Sequence, residues 1–472
     1  MKNIIIKITS IFLIFSIIIF TGCEDNFDEI NTNPSEFTEV PTHFFLPGSI
    51  LTIANAENHY YDGYLYPSTW IQYTTQGQSR DATSYNYQDV RSRIWSTIYQ
   101  GPLVDLDRIV VLADQENNLP LKAVAMTLKA YSYTLLVNTF GDLPYAEFNK
   151  VDQGINQPIY DLQSEIFNNI LENLREVDTL LEGVSAIDIP LEYDLIYNGD
   201  ALKWRKFANS LRFRLLIQLS EIRDVSSELS SIAPVFENAS DNAMYQFSGV
   251  NVGDIYPPSS ALGPDATEGQ VHRMAAPLIS RMNQTNDPRR SLYAVANDDG
   301  QYLGAYTYET FGLNNNYSKI NPQFFDRNGT ATFMDYSELL FLKAEAVARN
   351  LIVGDEVDIL KEAIISHMQE LGISQSEIDQ YTNNIVSNGT NLEEIYTEKW
   401  VSMFGRGLQA WIDYKRTEIP TLIPNPDGLI NEIPKRFTYP LIEQSTNSIN
   451  KNQAIDRLEK GDVLDSSLIW TK

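Results

Sequence analysis

The chain has 472 residues and a formal net charge of −27. That excess of carboxylates excludes a binder of nucleic-acid backbone, which needs Lys and Arg to displace counterions, and it opposes long-range capture of anions. One cysteine excludes an intramolecular disulfide, so stability has to come from a large hydrophobic core, which a chain of this length can build.

The first element is a leader over residues 1–22. Lys2 and Lys7 precede an apolar run, Ile8 to Phe20, interrupted only by Thr9, Ser10 and Ser16. A membrane-spanning helix needs about 20 apolar residues, so a basic start with this shorter run reads as a secretory signal. Thr21, Gly22 and Cys23 follow it. Cysteine after Thr-Gly resembles the lipobox of bacterial lipoproteins, with Phe20 where leucine is usual. That resemblance implies cleavage before Cys23 and lipidation of its thiol. Loss of the leader lowers the basic count from 35 to 33 against 62 acidic residues, a net charge of −29. Residues 23–42 read as an acidic tether, too poor in apolar side chains to bury much surface, and residues 43–472 read as the folded domain.

Helices dominate that domain. Leu121, Val124, Ala125, Leu128, Tyr131 and Leu135 recur at helical spacing, and Gly141 followed by Pro144 supplies a stop. Leu162, Ile166, Ile170, Leu174 and Val177 repeat the pattern, as do Trp204, Phe207, Ala208, Leu211 and Leu215. Asp335 with Glu338, and Asn391 with Glu394, have capping-box spacing. Alternating strands are scarce. Residues 248–330 are rich in Gly, Pro, Asn and Asp and read as long loops with short hairpins, and a loop region of that length is usually functional. No fixed-period repeat stands out.

Catalytic and metal signatures are thin. There is no G-x-S-x-G and no H-E-x-x-H, and His43, His59, His272 and His367 lack ligand spacing. The turn Asn297 to Gly300 has calcium-friendly residues without the spacing of an EF-hand, so calcium has no support and no cofactor is expected. Aromatic density is the stronger signal. From His59 to Tyr99 stand eight tyrosines and two tryptophans. Sugar rings stack an apolar face on such side chains, while their hydroxyls need amides, carboxylates or guanidinium groups. Tyr66, Trp70 and Tyr73, like Trp95 and Tyr99, have helix-face spacing, which favours packing. "GQSRDATSYNYQD" reads as a loop, so Arg80, Tyr85 and Tyr87 are candidate ligand contacts, with Trp70 just ahead of them as an additional one. Tyr256, Tyr302, Tyr306, Phe311 and Tyr317 form a second candidate rim. Arg416, Arg436 and Trp411 are expected to hold the C-terminal region together, with Asp413 as an arginine partner.

Six stretches then carry a family resemblance: "CEDNFDEINTNPSEFTEVP", "LKAYSYTLLVNTFGDLPY", "WRKFANSLRFRLLIQLS", "MDYSELLFLKAEAVARN", "WVSMFGRGLQAWIDYKRTEIP" and "EIPKRFTYPLIEQSTN". Together and in this order the chain resembles the SusD/RagB outer-membrane lipoproteins of the Bacteroidetes. It departs from them at Glu418, where glycine is common, and at Lys435, where arginine is common. The resemblance implies a mainly α fold of tetratricopeptide-like helix pairs packed on a loop-rich part with few short strands. It also implies a lipid-anchored, non-enzymatic protein on the cell exterior that captures glycans for a SusC-type TonB-dependent transporter. Glu24, Asp25, Asp28 and Glu29, just after the lipidated cysteine, would act as the surface-export signal. Peptide capture by the same architecture is the first alternative. A surface glycoside hydrolase and a scaffold that binds only the transporter are the others.

Overall fold

The computed structural model describes residues 40–77, 80–87, 93–266, 271–312, 316–387 and 389–471. The leader, Cys23 and the acidic residues Glu24, Asp25, Asp28 and Glu29 lie outside these. The chain divides into two compact units, Met1–Pro41 and Thr42–Lys472, and the helices and strands of the described residues lie in the second.

The helical half is built from α1 (Phe45–Glu57), α2 (Tyr66–Trp70), α3 (Ile94–Gln100), α4 (Pro102–Gln115), α5 (Leu119–Phe140), α6 (Gln163–Leu180) and α7 (Ala201–Leu219). Consecutive helices pair, α4 on α5, α5 on α6 and α6 on α7. This is the helix-pair arrangement expected from the resemblance. α6 follows its pattern closely: Ile166, Ile170, Leu174 and Val177 are buried, while Leu162 caps the start and is exposed.

α5 is buried on every side from Ala123 to Phe140 apart from Lys129. It is the central helix, and its polar positions have to be satisfied internally. The hydroxyls of Thr127, Ser132, Thr134 and Thr139 do this by donating to the carbonyls four residues back, at 2.9, 2.9, 2.8 and 2.7 Å. Gly141 ends the helix at φ 93°, a conformation open to glycine.

A loop-rich part follows. Its ladders are short antiparallel pairs: β1 (Thr74–Gln76) with β3 (His272–Met274), β2 (Ala243–Gln246) with β6 (Thr330–Met334), and β4 (Ala294–Val295) with β5 (Lys319–Ile320). The β1–β3 register sets Thr75 opposite Arg273, and Gly77, just beyond β1, packs against Phe311. The helix α8 (Ala276–Gln284) continues from β3.

The C-terminal helices are α9 (Tyr336–Ala348), α10 (Glu356–Glu370), α11 (Gln375–Val386), α12 (Leu392–Ser402) and α13 (Gly407–Thr417). α9, α10 and α11 enclose a second, smaller core around Phe341, Leu360, Ile364, Met368 and Ile378. Buried arginines are matched to carboxylates: Arg214 and Arg406 meet Glu338, Arg289 meets Asp287 and Glu398, and Arg416 meets Glu345 and Asp413. Pairing of this kind offsets the large cost of burying a charge. Arg436 donates to the Phe140 carbonyl and pairs with Asp462, and the Trp411 indole N–H donates to the Pro434 carbonyl at 2.7 Å.

Candidate binding face

The aromatic segment after α1 begins with a π-helical turn, Tyr60–Leu65, that runs into α2. The buried Asp62 carboxylate accepts the backbone N–H of Ile94 at 3.0 Å and so ties this turn to α3. Most of the segment's rings then point inward. Trp70 is fully buried and meets Trp411 edge-on at 5.0 Å, and Trp411 stacks on Phe437 at 4.9 Å. Trp70 therefore belongs to the core and presents no face to a ligand, which corrects the expectation of a contact there. Trp95 and Tyr99 are buried, as their spacing predicts.

The loop 80–87 is pinned at both sides. Tyr85 adopts φ 58° and its hydroxyl accepts the Asn425 amide at 2.9 Å. Its ring covers Gly428, where an added Cβ would stand 2.5 Å from the ring. Tyr87 stacks on Phe437 at 4.8 Å with an interplanar angle of 8°. Tyr85 is buried and Tyr87 is half-buried, so both serve chiefly to hold the loop on the C-terminal segment. Arg80 reaches the other way. Its guanidinium donates to the carbonyls of Thr307 and Tyr308, at 3.3 and 3.2 Å, and to the Thr310 hydroxyl at 3.0 Å.

That contact joins the two groups of residues that sequence kept apart. Tyr306 is exposed, and its ring stacks on Tyr308 at 5.2 Å with an interplanar angle of 10°. The Glu309 carboxylate accepts the Tyr306 amide at 2.7 Å and closes the turn. Tyr317 lies beside it, its pKa raised by partial burial and then by the Glu309 charge. Phe311 is buried under this turn against Gly77 and Tyr317, with the Arg273 guanidinium 5.9 Å from its ring centre. An added Cβ at Gly77 would stand 2.2 Å from the Phe311 carbonyl oxygen, so only glycine lets the two segments approach this closely. Below, His272 is fully buried and bonded to the Tyr60 hydroxyl at 2.8 Å, and burial pushes its pKa down to about 4, leaving a neutral ring.

The second rim does not close into one surface. Arg80, Tyr306, Phe311 and Tyr317 converge. Tyr302 instead lies under the Arg290 guanidinium, 4.7 Å away, and borders a separate polar hollow with Tyr381 and Asn384. Tyr256 is buried against Gly329 and borders a cleft of about 530 Å³ with Phe324, Glu370 and Arg406. Buried Tyr85, Tyr256 and Phe311 thus offer packing rather than an open ring. Tyr308 was not singled out from sequence. The available signal was the close spacing of Tyr306 and Tyr308 inside a polar loop, and it is the turn, closed by the Glu309 amide donating to the Tyr306 carbonyl at 3.0 Å, that sets the two rings face to face.

Among the described residues no group of three or more His, Cys, Asp or Glu is placed to hold a metal ion. The turn at Asn297 is closed internally, its side-chain oxygen accepting the amides of Asp299 and Gln301 at 3.1 and 2.8 Å. No helix among the described residues is long and apolar enough to cross a membrane.

Comparison with known proteins gives one family. The SusD-like model described as "Starch-binding associating with outer membrane" matches residues 34–440. No curated protein matches the chain. Among solved structures, a chitin-binding protein is 23% identical with a TM-score of 0.81, covering 91% of this chain and 100% of its own. A SusD homologue from Bacteroides fragilis is 21% identical with a TM-score of 0.77, covering 91% and 99%. A chitin-binding SusD homologue from Flavobacterium johnsoniae is 20% identical with a TM-score of 0.76, covering 90% and 98%. At these identities the likeness is one of fold.

Proposed function

Since the chain belongs to the SusD-like family of outer-membrane-associated binding proteins, we propose that it captures glycans on the parallel Tyr306–Tyr308 pair and delivers them to a SusC-type TonB-dependent transporter without chemically altering them. The observation that carries this reading is a stacked tyrosine pair with an exposed ring, on a turn fixed from both sides. A sugar ring laid on such a surface loses little water-exposed polar area and gains aromatic contact. Glu309 and Tyr317 stand close enough to meet its hydroxyls. A binder moored beside a pore keeps ligand at high effective concentration where import begins, so modest affinity suffices and release stays fast. The family description and two of the structural relatives name starch and chitin, so neutral glucans and chito-oligosaccharides are the first ligands to test. Mooring is assigned to lipid on Cys23, with Glu24, Asp25, Asp28 and Glu29 directing the protein to the cell exterior.

Titration calorimetry of the mature protein with malto- and chito-oligosaccharides is expected to show binding. Tyr306→Ala and Tyr308→Ala should each weaken it by about three- to tenfold with an unchanged melting temperature. Heat with mixed peptides alone would replace the glycan reading with peptide capture. Cys23→Ser should release the protein from the membrane fraction of native cells.

A further inference from the structure

Arg80 was expected to touch the ligand. The geometry points to another role, one that rests on the glycan-binding reading: we infer that Arg80 is a positioning residue that holds the Tyr306–Tyr308 pair in its binding conformation before any ligand arrives. Three hydrogen bonds from its two terminal nitrogens go to the loop. Two of them go to backbone carbonyls, Thr307 and Tyr308, and one goes to the Thr310 hydroxyl. These acceptors belong to the segment that carries the two rings. Arg80 itself stands on a segment anchored through Tyr85 to Asn425, through Leu429, whose amide donates to the Ser84 carbonyl at 2.9 Å, and through Tyr87 to Phe437. The guanidinium thus links the middle of the turn to a separately anchored segment of the molecule.

The turn has three further constraints, none of which holds its middle: at its near end the Ala305 amide donates to the Met274 carbonyl at 3.0 Å and the Ala305 carbonyl accepts the Ala276 amide at 2.9 Å. Glu309 closes it internally by accepting the Tyr306 amide, which fixes its shape but not its place. Phe311 anchors its far end against Gly77. Between those points, Thr307 and Tyr308 are tied across the interface by Arg80. A lysine is a poor substitute, because its donors radiate from one nitrogen, whereas these acceptors are met from two separate guanidinium nitrogens held in a fixed planar fork.

This assignment has a kinetic consequence. If the turn is competent in only a fraction of molecules, apparent affinity falls by that fraction. Losing a positioning residue therefore lowers the association rate and leaves the dissociation rate of bound ligand unchanged. Losing a contact residue acts chiefly on dissociation. The two roles are separable by stopped-flow or surface-plasmon measurement with a chito- or malto-oligosaccharide that the parent protein binds. For Arg80→Ala the expected result is a roughly tenfold slower association, an unaltered dissociation rate, and failure of Arg80→Lys to restore either. Thr310→Val, which removes one acceptor from the surface of the turn, should shift association the same way by about two- to threefold. Hydrogen exchange of residues 306–311 in the ligand-free protein supplies an arm that does not depend on the ligand. Exchange there should quicken in Arg80→Ala while that of α5 stays constant. Faster dissociation with intact association would make Arg80 a ligand contact and overturn the inference, as would unchanged exchange in residues 306–311. Faster local exchange in a protein that binds no glycan would uphold the positioning role and sink the glycan reading alone.

Discussion

Glu418 adopts φ 54° and ψ 25° immediately after α13, the left-handed geometry that ends many helices. A side chain with a Cβ pays about 1 kcal/mol or more there, and glycine does not. Glycine would sit there without cost, and this chain carries the strain of a glutamate instead. Glu418→Gly should raise stability by about 0.5–1 kcal/mol, read as a higher urea midpoint, the gain being reduced by the greater freedom of glycine in the unfolded chain. Glu57 carries a different cost. It is buried at the end of α1, accepts the Tyr131 hydroxyl at 2.7 Å, and has its pKa pushed by burial from 4.5 up to about 7. The folded state holds this proton more tightly than the unfolded one. The stability it contributes is thus complete below pH 4.5 and is lost as pH rises to about 7. Glu57→Gln keeps the acceptor and removes the titration. Its stability relative to the parent should climb between pH 4.5 and 7, by up to about 3 kcal/mol, and then level off. Thermal melts of both proteins across that window would check it.

At the scale of the element, two caps with the same spacing have different weight. The Asn391 side chain accepts the Glu394 amide at 2.9 Å at the exposed start of α12. Asp335 accepts the Glu338 amide at 2.7 Å, and its second oxygen pairs with Arg406 at 2.8 Å inside the protein. Glu338 and Glu394 do not complete the capping box. Their carboxylates go to arginines, Glu338 to Arg214 and Arg406 and Glu394 to Arg281. Asn391→Ala should cost about 1 kcal/mol and Asp335→Ala about 3–5 kcal/mol, because the latter also leaves the Arg406 pairing incomplete. Chemical denaturation of both variants measures the difference. The helices were legible because their apolar spacing, caps and stops are local. Trp204, Phe207, Ala208, Leu211 and Leu215 in α7 and Ile166, Ile170, Leu174 and Val177 in α6 are buried as their spacing predicts. In α5 the spacing of apolar residues marks the helix, but from Ala123 to Phe140 it is buried on every side apart from Lys129, and periodicity cannot show that a helix has neighbours all around it. The binding face was legible only in pieces. Tyr306 and Tyr317 were named from composition, but the Arg80 contact spans more than 200 positions and leaves no local trace. Trp70 went the other way: a ring next to a loop looked available, and packing on Trp411 had already claimed it.

Over the whole molecule, the last part of the chain completes the first. α5 ends with carbonyls that no residue of its own helix can satisfy. The Lys415 ammonium donates to the Asn138 carbonyl at 2.6 Å, the Phe437 amide to Thr139 at 2.7 Å, and Arg436 to Phe140 at 3.1 Å. The Tyr439 hydroxyl donates to the Asp142 carbonyl at 2.7 Å just beyond. Trp411 and Phe437 also fill the space around Trp70 and Tyr87. A chain ending at residue 405 lacks all of these, and should show no cooperative thermal transition and rapid cleavage by protease where the full chain resists. The order of synthesis gives this arrangement its consequence. Helices made early have to wait for residues made late, so a growing polypeptide cannot lock behind the ribosome. The core closes only when the tail of the chain has arrived.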